Sequence, residues 1–212
     1  MTQDLFVTAT DTGVGKTLLS ALLVAALHRS YWKPIQTGAS EGTDREMVIK
    51  WAGISEDRAY PESYVFDPPV SPHLAAEKRG IAIDLRNIRR PLSYDPLVIE
   101  GAGGVFVPIN RTAFMLDLIR HFAAPVVIAS RTALGTINHT LLTVSAIRNA
   151  NLEICGVVMI GKEDPDNRRA VERYGDIPVI GAIPWLDTID RATLCSVFEQ
   201  HFDKTALLKS HR

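Results

Sequence analysis

A ten-residue stretch near the start of the chain, Thr8 to Thr17, constrains the fold more than any other part of the sequence. It reads TATDTGVGKT and lies between an apolar run of strand length and a longer apolar run with helical spacing. A strand, a glycine-bearing turn and a helix in this order can form a phosphate-binding loop, because backbone N–H groups and the helix N-terminus then surround phosphate oxygens. The sequence therefore predicts a nucleotide site at the start of the first helix.

One residue departs from the usual loop pattern, which has glycine where this chain has Thr10. Gly13 and Gly15 still stand where the backbone must approach phosphate closely, and a residue other than glycine is acceptable earlier in the loop if its φ is negative. Lys16 is then expected to contact the terminal phosphates, and the Thr17 hydroxyl to bind Mg²⁺. From these residues alone, a solvated lysine and a helix-capping threonine remain as alternatives.

The rest of the chain alternates short apolar runs with helical patterns, which is typical of an α/β fold with a mostly parallel sheet covered by helices on both faces. We expect a single domain of the phosphate-loop NTPase type over residues 1–212, with ligands at the carboxyl ends of the strands. The glycines within 101–104 predict a turn, and residues 39–96 allow no assignment. The predicted strands are 5–9, 31–34, 97–100, 125–130 and 154–160, and 177–186 is predicted as a last strand and loop. The predicted helices are 17–29, 114–123, 137–150, 166–175 and 189–202.

Composition narrows the possible partners. The chain is 46% apolar and 22% charged with a net charge of -1, so we expect neither nucleic acid nor an acidic membrane to be bound through bulk electrostatics. The longest apolar run, from Leu18 to Leu27, is about half of a membrane span, and the first residues do not resemble a signal peptide. Cys155 and Cys195 have no partner motif, which favours reduced thiols and a cytoplasmic location.

Six motifs follow one another along the chain: TDTGVGKT at 10–17, KPIQTG at 33–38, SPH at 71–73, EGAGGVFVP at 100–108, LGTINH at 134–139 and IPWL at 183–186. Together they resemble the dethiobiotin synthetase family, in that family's order, from residue 6 to about residue 186. The resemblance implies a homodimeric cyclo-ligase (EC 6.3.3.3) that uses ATP and Mg²⁺. Its reaction, the penultimate step of biotin synthesis, joins CO₂ to 7,8-diaminononanoate (diaminopelargonate) and closes a cyclic urea.

The chemistry of that reaction calls for cations. A carbamate formed from the diamine and CO₂ must accept the γ-phosphoryl group, so two anions meet, and the second amine then attacks the resulting carbamic–phosphoric anhydride. Positioning and charge neutralisation dominate phosphoryl transfer. The resemblance implies that Lys16 acts on the nucleotide and Lys33 on the carbamate, as the two catalytic residues. A solvated edge lysine is the alternative for Lys33.

The loop and the resemblance together predict three sets of binding residues. Mg²⁺ is expected at Thr17, Asp44 and Glu100, for which a helix-capping aspartate and an ordinary strand-end acid remain as alternatives. Nucleotide binding is predicted for Gly13, Val14, Gly15, Lys16, Thr17, Leu18, Asp44, Glu100, Gly101, Ala102, Gly103, Pro184, Trp185 and Leu186. Substrate binding is predicted for Thr12, Thr37, Gly135, Thr136 and Asn138, the last three near the dimer interface, where the family receives the substrate carboxylate from the partner subunit. His73 and His139 are interpreted as structural or interface residues.

The chain departs from the family at the end of a predicted strand. Ile160 and Gly161 stand where family members commonly have Asn-Asp, whose asparagine amide contacts the adenine edge. Neither residue can make that paired hydrogen bond, so base discrimination is expected to weaken. We therefore expect a relaxed base preference, in which CTP or GTP can replace ATP.

Three other functions remain open from sequence. A related amide- or cyclo-ligase could act on a different acid, and a partitioning-type ATPase switch has the same broad fold. Such switches often carry a lysine early in the loop, where this chain has Asp11 and Thr12. A degenerate nucleotide binder without catalysis is disfavoured by Lys16, Lys33 and Glu100.

Overall fold

The computed structural model of this chain describes residues 3–208 and contains one seven-stranded sheet in which all the strand pairs are parallel. The strand order is β4-β2-β6-β1-β7-β8-β9, with β1 at the centre beside β6 and β7, and a separate parallel pair joins β3 to β5. The strands are β1 (Leu5–Ala9), β2 (Ser30–Trp32), β3 (Ile35–Thr37), β4 (Ala59–Tyr60), β5 (Tyr64–Phe66), β6 (Leu97–Gly104), β7 (Val126–Arg131), β8 (Ile154–Ile160) and β9 (Val179–Ile183).

Helices cover both faces of the sheet because side chains on each strand alternate between two apolar cores. In β1, for example, Phe6 lies in the core under α3 to α6, whereas Val7 lies in the core under α1, α2 and α7. The predicted α/β fold with helices on both faces is therefore confirmed. The helices are α1 (Lys16–Leu27), α2 (Asp44–Ala52), α3 (Pro72–Lys78), α4 (Met115–Phe122), α5 (Thr136–Asn149), α6 (Pro165–Gly175), α7 (Arg191–His201) and α8 (Lys204–Leu208).

The predicted turn at 101–104 is wrong, because β6 continues through these residues to Gly104. Gly101 permits close packing there. A Cβ atom on Gly101 would lie 3.0 Å from Phe6 Cε1 and 3.3 Å from the sulfur of Met115. A larger residue would separate β6 from the side chains on this face of the sheet.

The second strand was also predicted too long. β2 ends at Trp32, and the next segment, Ile35–Thr37, leaves the main sheet and pairs with β5. Pro34 lies between the two strands and lacks the N–H group that would continue the ladder. Lys33 is therefore placed at the carboxyl end of β2, where ligands collect in open parallel sheets.

The segment 39–96, which allowed no assignment from sequence, contains α2 and α3 besides short strands and turns. α8 was likewise not predicted. Within the described residues, every helix is too short or too polar to cross a bilayer.

Candidate active site

The loop between β1 and α1 has the backbone geometry that its glycines predict. Gly13 and Gly15 adopt left-handed φ values of 68° and 112°, which other residues rarely tolerate. Thr10 does not adopt a positive φ, and its N–H donates to the carbonyl of Ala129 at 3.0 Å. The loop therefore has no need of glycine at that position, which explains the departure from the usual pattern.

Lys16 begins α1 and is only 8% exposed. Its Nζ atom donates to the backbone carbonyl of Asp11 at 3.3 Å. Burial lowers the pKa of Lys16, an effect that the nearby carboxylate of Glu100 opposes. The ammonium is thus held over the loop in an environment that an anionic ligand would stabilise.

Two carboxylates, one hydroxyl and one ammonium group meet beside the start of α1. The hydroxyl of Thr17 lies 3.1 Å from Glu100 Oε1 and within hydrogen-bond distance of Asp44. Lys33 Nζ lies 3.2 Å from the same oxygen of Glu100 and forms a second ion pair with Asp44. Glu100 is 1% exposed and Lys33 6%, so these charges are largely removed from water, and the one ammonium group offsets part of the charge of the two carboxylates.

Lys33 and Asp44 stabilise each other's charge. Burial alone would lower the pKa of Lys33, but the carboxylates of Glu100 and Asp44 raise it above its usual value. Burial likewise opposes ionisation of Asp44, yet Lys33 and the hydrogen bonds from Thr17 and Gln36 lower its pKa. Lys33 therefore stays an ammonium and Asp44 an ionised carboxylate at neutral pH.

Helix α2 places Asp44 in this cluster, and its start explains how. Thr43 is the N-cap residue: its side chain accepts from the backbone of Glu46, whose carboxylate in turn accepts from the backbone of Thr43. This capping box fixes the first turn of the helix. Asp44 is the first helical residue, so its carboxylate also lies at the positive end of the helix dipole.

A cavity of about 560 Å³ opens at the carboxyl ends of β1, β3 and β6, with these groups on its wall. Thr12, which follows β1, and Thr37, which ends β3, also line it. The predicted residues that the cavity brings together are Thr12, Gly13, Gly15, Lys16, Thr17, Leu18, Lys33, Thr37, Asp44, Glu100, Ala102 and Gly103.

Two groups of predicted residues lie outside that cavity wall. Gly135, Thr136 and Asn138 form the start of α5, and Pro184, Trp185 and Leu186 follow β9. The Thr136 hydroxyl is buried, 2.7 Å from Ser130 Oγ, whereas Asn138 and Trp185 are exposed. Gly101 and Val14 are buried beneath the cavity.

The histidines of the motifs take peripheral positions. His73 Nδ1 lies 3.0 Å from the hydroxyl of Ser71, at the start of α3. His139 is exposed on α5 and lines a neighbouring cavity with Phe106 and Leu142. Both positions agree with the structural or interface roles that the sequence favoured, which stay predictions.

Sequence reasoning missed two residues that contact the site. Tyr31 is completely buried, and its hydroxyl donates to Glu100 Oε2 at 3.1 Å. Burial and the charge of Glu100 raise the pKa of Tyr31 well above its usual value, so it remains a donor. Alternation along a strand could have indicated it, because Tyr31 stands two residues before Lys33 and so faces the same side.

Arg131 is the second residue missed. It ends β7, and its Nη2 atom donates to the carbonyl of Thr12 at 2.9 Å, which ties the phosphate loop to the neighbouring strand. A Cβ atom on Gly13 would lie 3.5 Å from the same guanidinium. The signal for Arg131 in the sequence was a basic residue directly after a predicted strand of apolar residues.

Comparison with known proteins gives three findings. The profile of a family described as an AAA domain matches residues 3–193. The chain is 42% identical to "ATP-dependent dethiobiotin synthetase BioD" of Rhodopseudomonas palustris (strain HaA2), over 99% of this chain and 98% of that protein. It is 45% identical to the protein of the same name from Paramagnetospirillum magneticum, over 91% of this chain and 93% of the relative.

Among solved structures, a ParA family ATPase from Chlorobium tepidum TLS aligns with a TM-score of 0.56 at 11% identity, covering 97% of this chain and 96% of the other. This similarity shows a shared fold. The relatives with similar sequences are more closely related to this chain.

Proposed function

This chain belongs to the family of ATP-dependent dethiobiotin synthetases, and we propose that it carries out their reaction on 7,8-diaminononanoate and CO₂. The observation that carries the proposal is the buried cluster of Lys33, Asp44 and Glu100 around Thr17, beside Lys16 and the phosphate loop. It combines cations for two reacting anions with oxygen ligands for a metal, in one cavity large enough for a nucleotide tail and a small substrate.

The loop is suited to the triphosphate of ATP. Left-handed Gly13 and Gly15 turn the backbone around the start of α1, whose free N–H groups attract anions. Lys16 lies buried beside them and would gain a strong partner from the terminal phosphates. Arg131 supports the loop from outside through the Thr12 carbonyl.

The donor set of Thr17, Asp44 and Glu100 fits Mg²⁺. One hydroxyl and two carboxylates supply hard oxygen ligands, and Mg²⁺ usually takes one or two carboxylates and keeps several waters. When bound, the ion would neutralise charge on the β- and γ-phosphates. Lys33 contacts both carboxylates. It would therefore lie close to the phosphates of a bound nucleotide and to a carbamate in the cavity.

The reaction then follows from the positions of the cations. One amine of the substrate adds to CO₂, with loss of a proton, to give a carbamate whose oxygen takes the γ-phosphoryl group from ATP and releases ADP. Lys16 and Lys33 reduce the repulsion between carbamate and triphosphate. The second amine attacks the carbamoyl carbon, loses its proton and expels phosphate. This ring closure is fast because both groups sit on neighbouring carbons, where effective molarities reach about 10⁵ M or more.

Thr12 and Thr37 line the same cavity as the acids and would hydrogen-bond the amines or the carbamate. The start of α5, at Gly135, Thr136 and Asn138, would bind the distant carboxylate of a substrate held by the partner subunit. The Thr136 hydroxyl is hydrogen-bonded to Ser130 Oγ and its N–H donates to the carbonyl of Ala133 at 3.1 Å, so the contact with the carboxylate would fall to the exposed Asn138.

A homodimer is consistent with the surface beside this helix. Phe106, Phe114, Leu134 and Leu142 are large apolar side chains with exposures from 44% to 103%. Phe106 and Leu142 line a cavity of about 370 Å³ next to the active site. Apolar exposure of this kind is typical of protein interfaces.

Base preference is the second part of the proposal. The Ile160 side chain packs toward the loop, 3.0 Å from the position of a Cβ atom on Gly15, and Gly161 has no side chain. Trp185 lies 3.8 Å from the Cβ position of Gly161 and is 80% exposed, so a base can stack on it. Because every base has a π-face, stacking tolerates base changes, and we expect CTP or GTP to replace ATP.

We also propose that the whole chain works as one domain in the cytoplasm. Cys155 and Cys195 are both free thiols in the structure, in keeping with a reducing compartment.

The test is phosphate release by the purified protein with Mg²⁺, bicarbonate and ATP, with and without the diamine. We expect release that depends on the diamine, together with a product heavier than it by one carbonyl less two hydrogens. CTP and GTP in place of ATP should also give product, and a strict requirement for ATP would contradict the base proposal alone. Hydrolysis indifferent to the diamine with every nucleotide would contradict the ligase assignment.

A further inference from the structure

The two oxygens of Glu100 have different surroundings. Oε1 faces the cavity side of the cluster, 3.1 Å from the Thr17 hydroxyl and 3.2 Å from Lys33 Nζ. Oε2 faces the protein interior, where the hydroxyl of Tyr31 donates to it at 3.1 Å. The carboxylate is therefore held from behind by a neutral donor while its other oxygen points toward the cations.

The sheet sets this arrangement. Tyr31 of β2 pairs in register with Val98 of β6, two residues before Glu100, so the two side chains extend on the same face. Tyr31 is 0% exposed, and it packs in the core formed with α1. A phenylalanine would fill the same apolar space, and the hydroxyl has its hydrogen-bond partner in Glu100.

We propose that Tyr31 is a positioning residue that orients Glu100 so that Oε1 faces the metal and the phosphates. This inference rests on the proposed metal site. Without the hydroxyl, Oε2 would be a buried charged acceptor lacking that donor. The carboxylate would then be more stable if it turned toward Lys33 or toward water in the cavity. Partners of this outer kind fix the orientation of metal-binding side chains, and their loss typically lowers metal affinity by roughly 10- to 100-fold.

The experiment measures Mn²⁺ binding by electron paramagnetic resonance, with the enzyme saturated by a non-hydrolysable ATP analogue. Tyr31→Phe is expected to raise the Kd for Mn²⁺ by about 10-fold or more. In turnover it should raise the Mg²⁺ concentration at half-maximal rate by a similar factor, with excess Mg²⁺ restoring the rate and KM for the diamine unchanged. Tyr64→Phe is the matched control, because the Tyr64 hydroxyl only accepts from the Asp84 N–H, at 3.3 Å, outside the cavity wall.

A double-mutant comparison tests whether Tyr31 acts through Glu100. Adding Tyr31→Phe to Glu100→Gln should cause no further loss of Mn²⁺ affinity, because the carboxylate that Tyr31 orients is already absent. This pair also serves if Tyr31→Phe alone fails to fold, since Glu100→Gln removes the buried charge.

Two results would overturn the inference while the proposed function stands: unchanged Mn²⁺ affinity in Tyr31→Phe, or an equal loss in the Glu100→Gln background. Wild-type protein that binds no Mn²⁺ beyond the nucleotide's own would overturn the inference together with the metal site.

Discussion

Lys16 and Lys33 differ in what stabilises their charge. Lys33 has two carboxylates as partners, which raise its pKa, whereas Lys16 is buried with a backbone carbonyl as its hydrogen-bond partner and has a lowered pKa. Lys33 therefore contributes to the folded structure besides its proposed part in the reaction. Lys16 has no ion pair with any residue that the structure describes, and its charge would be stabilised most when a triphosphate enters.

The Lys16→Ala variant tests the proposed role of Lys16 on the nucleotide. We expect a loss of roughly 10³-fold or more in the rate of phosphate release, because a cation on the transferred phosphoryl group is worth that much. The melting temperature should change little, since the cost of burying the ammonium offsets the hydrogen bond to Asp11 and the attraction of Glu100 that the variant loses. Lys162→Ala, at an exposed surface position, is the control. Substantial activity in Lys16→Ala would contradict its role on the nucleotide.

Cys155 gives a prediction with a defined pH dependence. Burial raises the pKa of this thiol to about 12, and Glu153 adds to the effect. In a Cys195→Ser background, we expect iodoacetamide to modify folded protein at pH 8 at least about 100-fold more slowly than urea-unfolded protein, whose thiol has a pKa near 8.5. The folded rate should still be rising at pH 10. Equal rates in both states, measured by mass spectrometry, would show that burial does not protect the thiol.

Local pattern was sufficient for part of the site and insufficient for the rest. Lys16, Thr17 and the loop glycines lie within one short motif whose spacing specifies their neighbours. Tyr31 meets Glu100 across 69 residues, and Arg131 meets Thr12 across 119. Such contacts depend on which strands are neighbours, and this order of strands is not specified by any short stretch of sequence.

Helix α2 shows why no helix or strand could be assigned within residues 39–96 from the sequence. The helix has nine residues, of which Val48 and Ala52 are buried, so its apolar periodicity is weak. Its start is specified by the capping box between Thr43 and Glu46 and its end by Gly53 in the left-handed conformation. The turn predicted in β6 was wrong because Gly101 permits close packing against Phe6 and Met115, and Gly103 takes its left-handed φ of 69° within the strand.

The capping box leads to a prediction for Thr43→Ala. The change removes the acceptor for the Glu46 N–H, so the free energy of unfolding should fall by about 1 kcal/mol in urea titrations. Asp44 should be less well held, and the Mg²⁺ concentration needed for half-maximal rate should rise. Thr43→Ser keeps the hydroxyl and should retain both properties. An unchanged unfolding midpoint in the alanine variant would mean that the cap contributes nothing.

The proposed dimer can be tested by a substitution on the apolar surface beside α5. Leu142→Glu places a charge on that surface, and we expect a shift from dimer to monomer in sedimentation velocity, with a higher KM for the diamine. Leu92→Glu changes a residue that is 98% exposed, before the amino end of β6, and should leave the dimer intact. A wild-type monomer, or a Leu142→Glu dimer, would contradict this interface.

The central position of β1 has a consequence for synthesis of the protein. This strand carries the phosphate loop, yet its neighbours in the sheet, β6 and β7, begin only at Leu97 and Val126. At translation rates of roughly 5 to 20 residues per second, β1 waits on the order of ten seconds for its first neighbour. During that time an apolar strand and the helix after it have no sheet to join, so the earliest part of the candidate active site is also a segment that the growing chain must keep from aggregating.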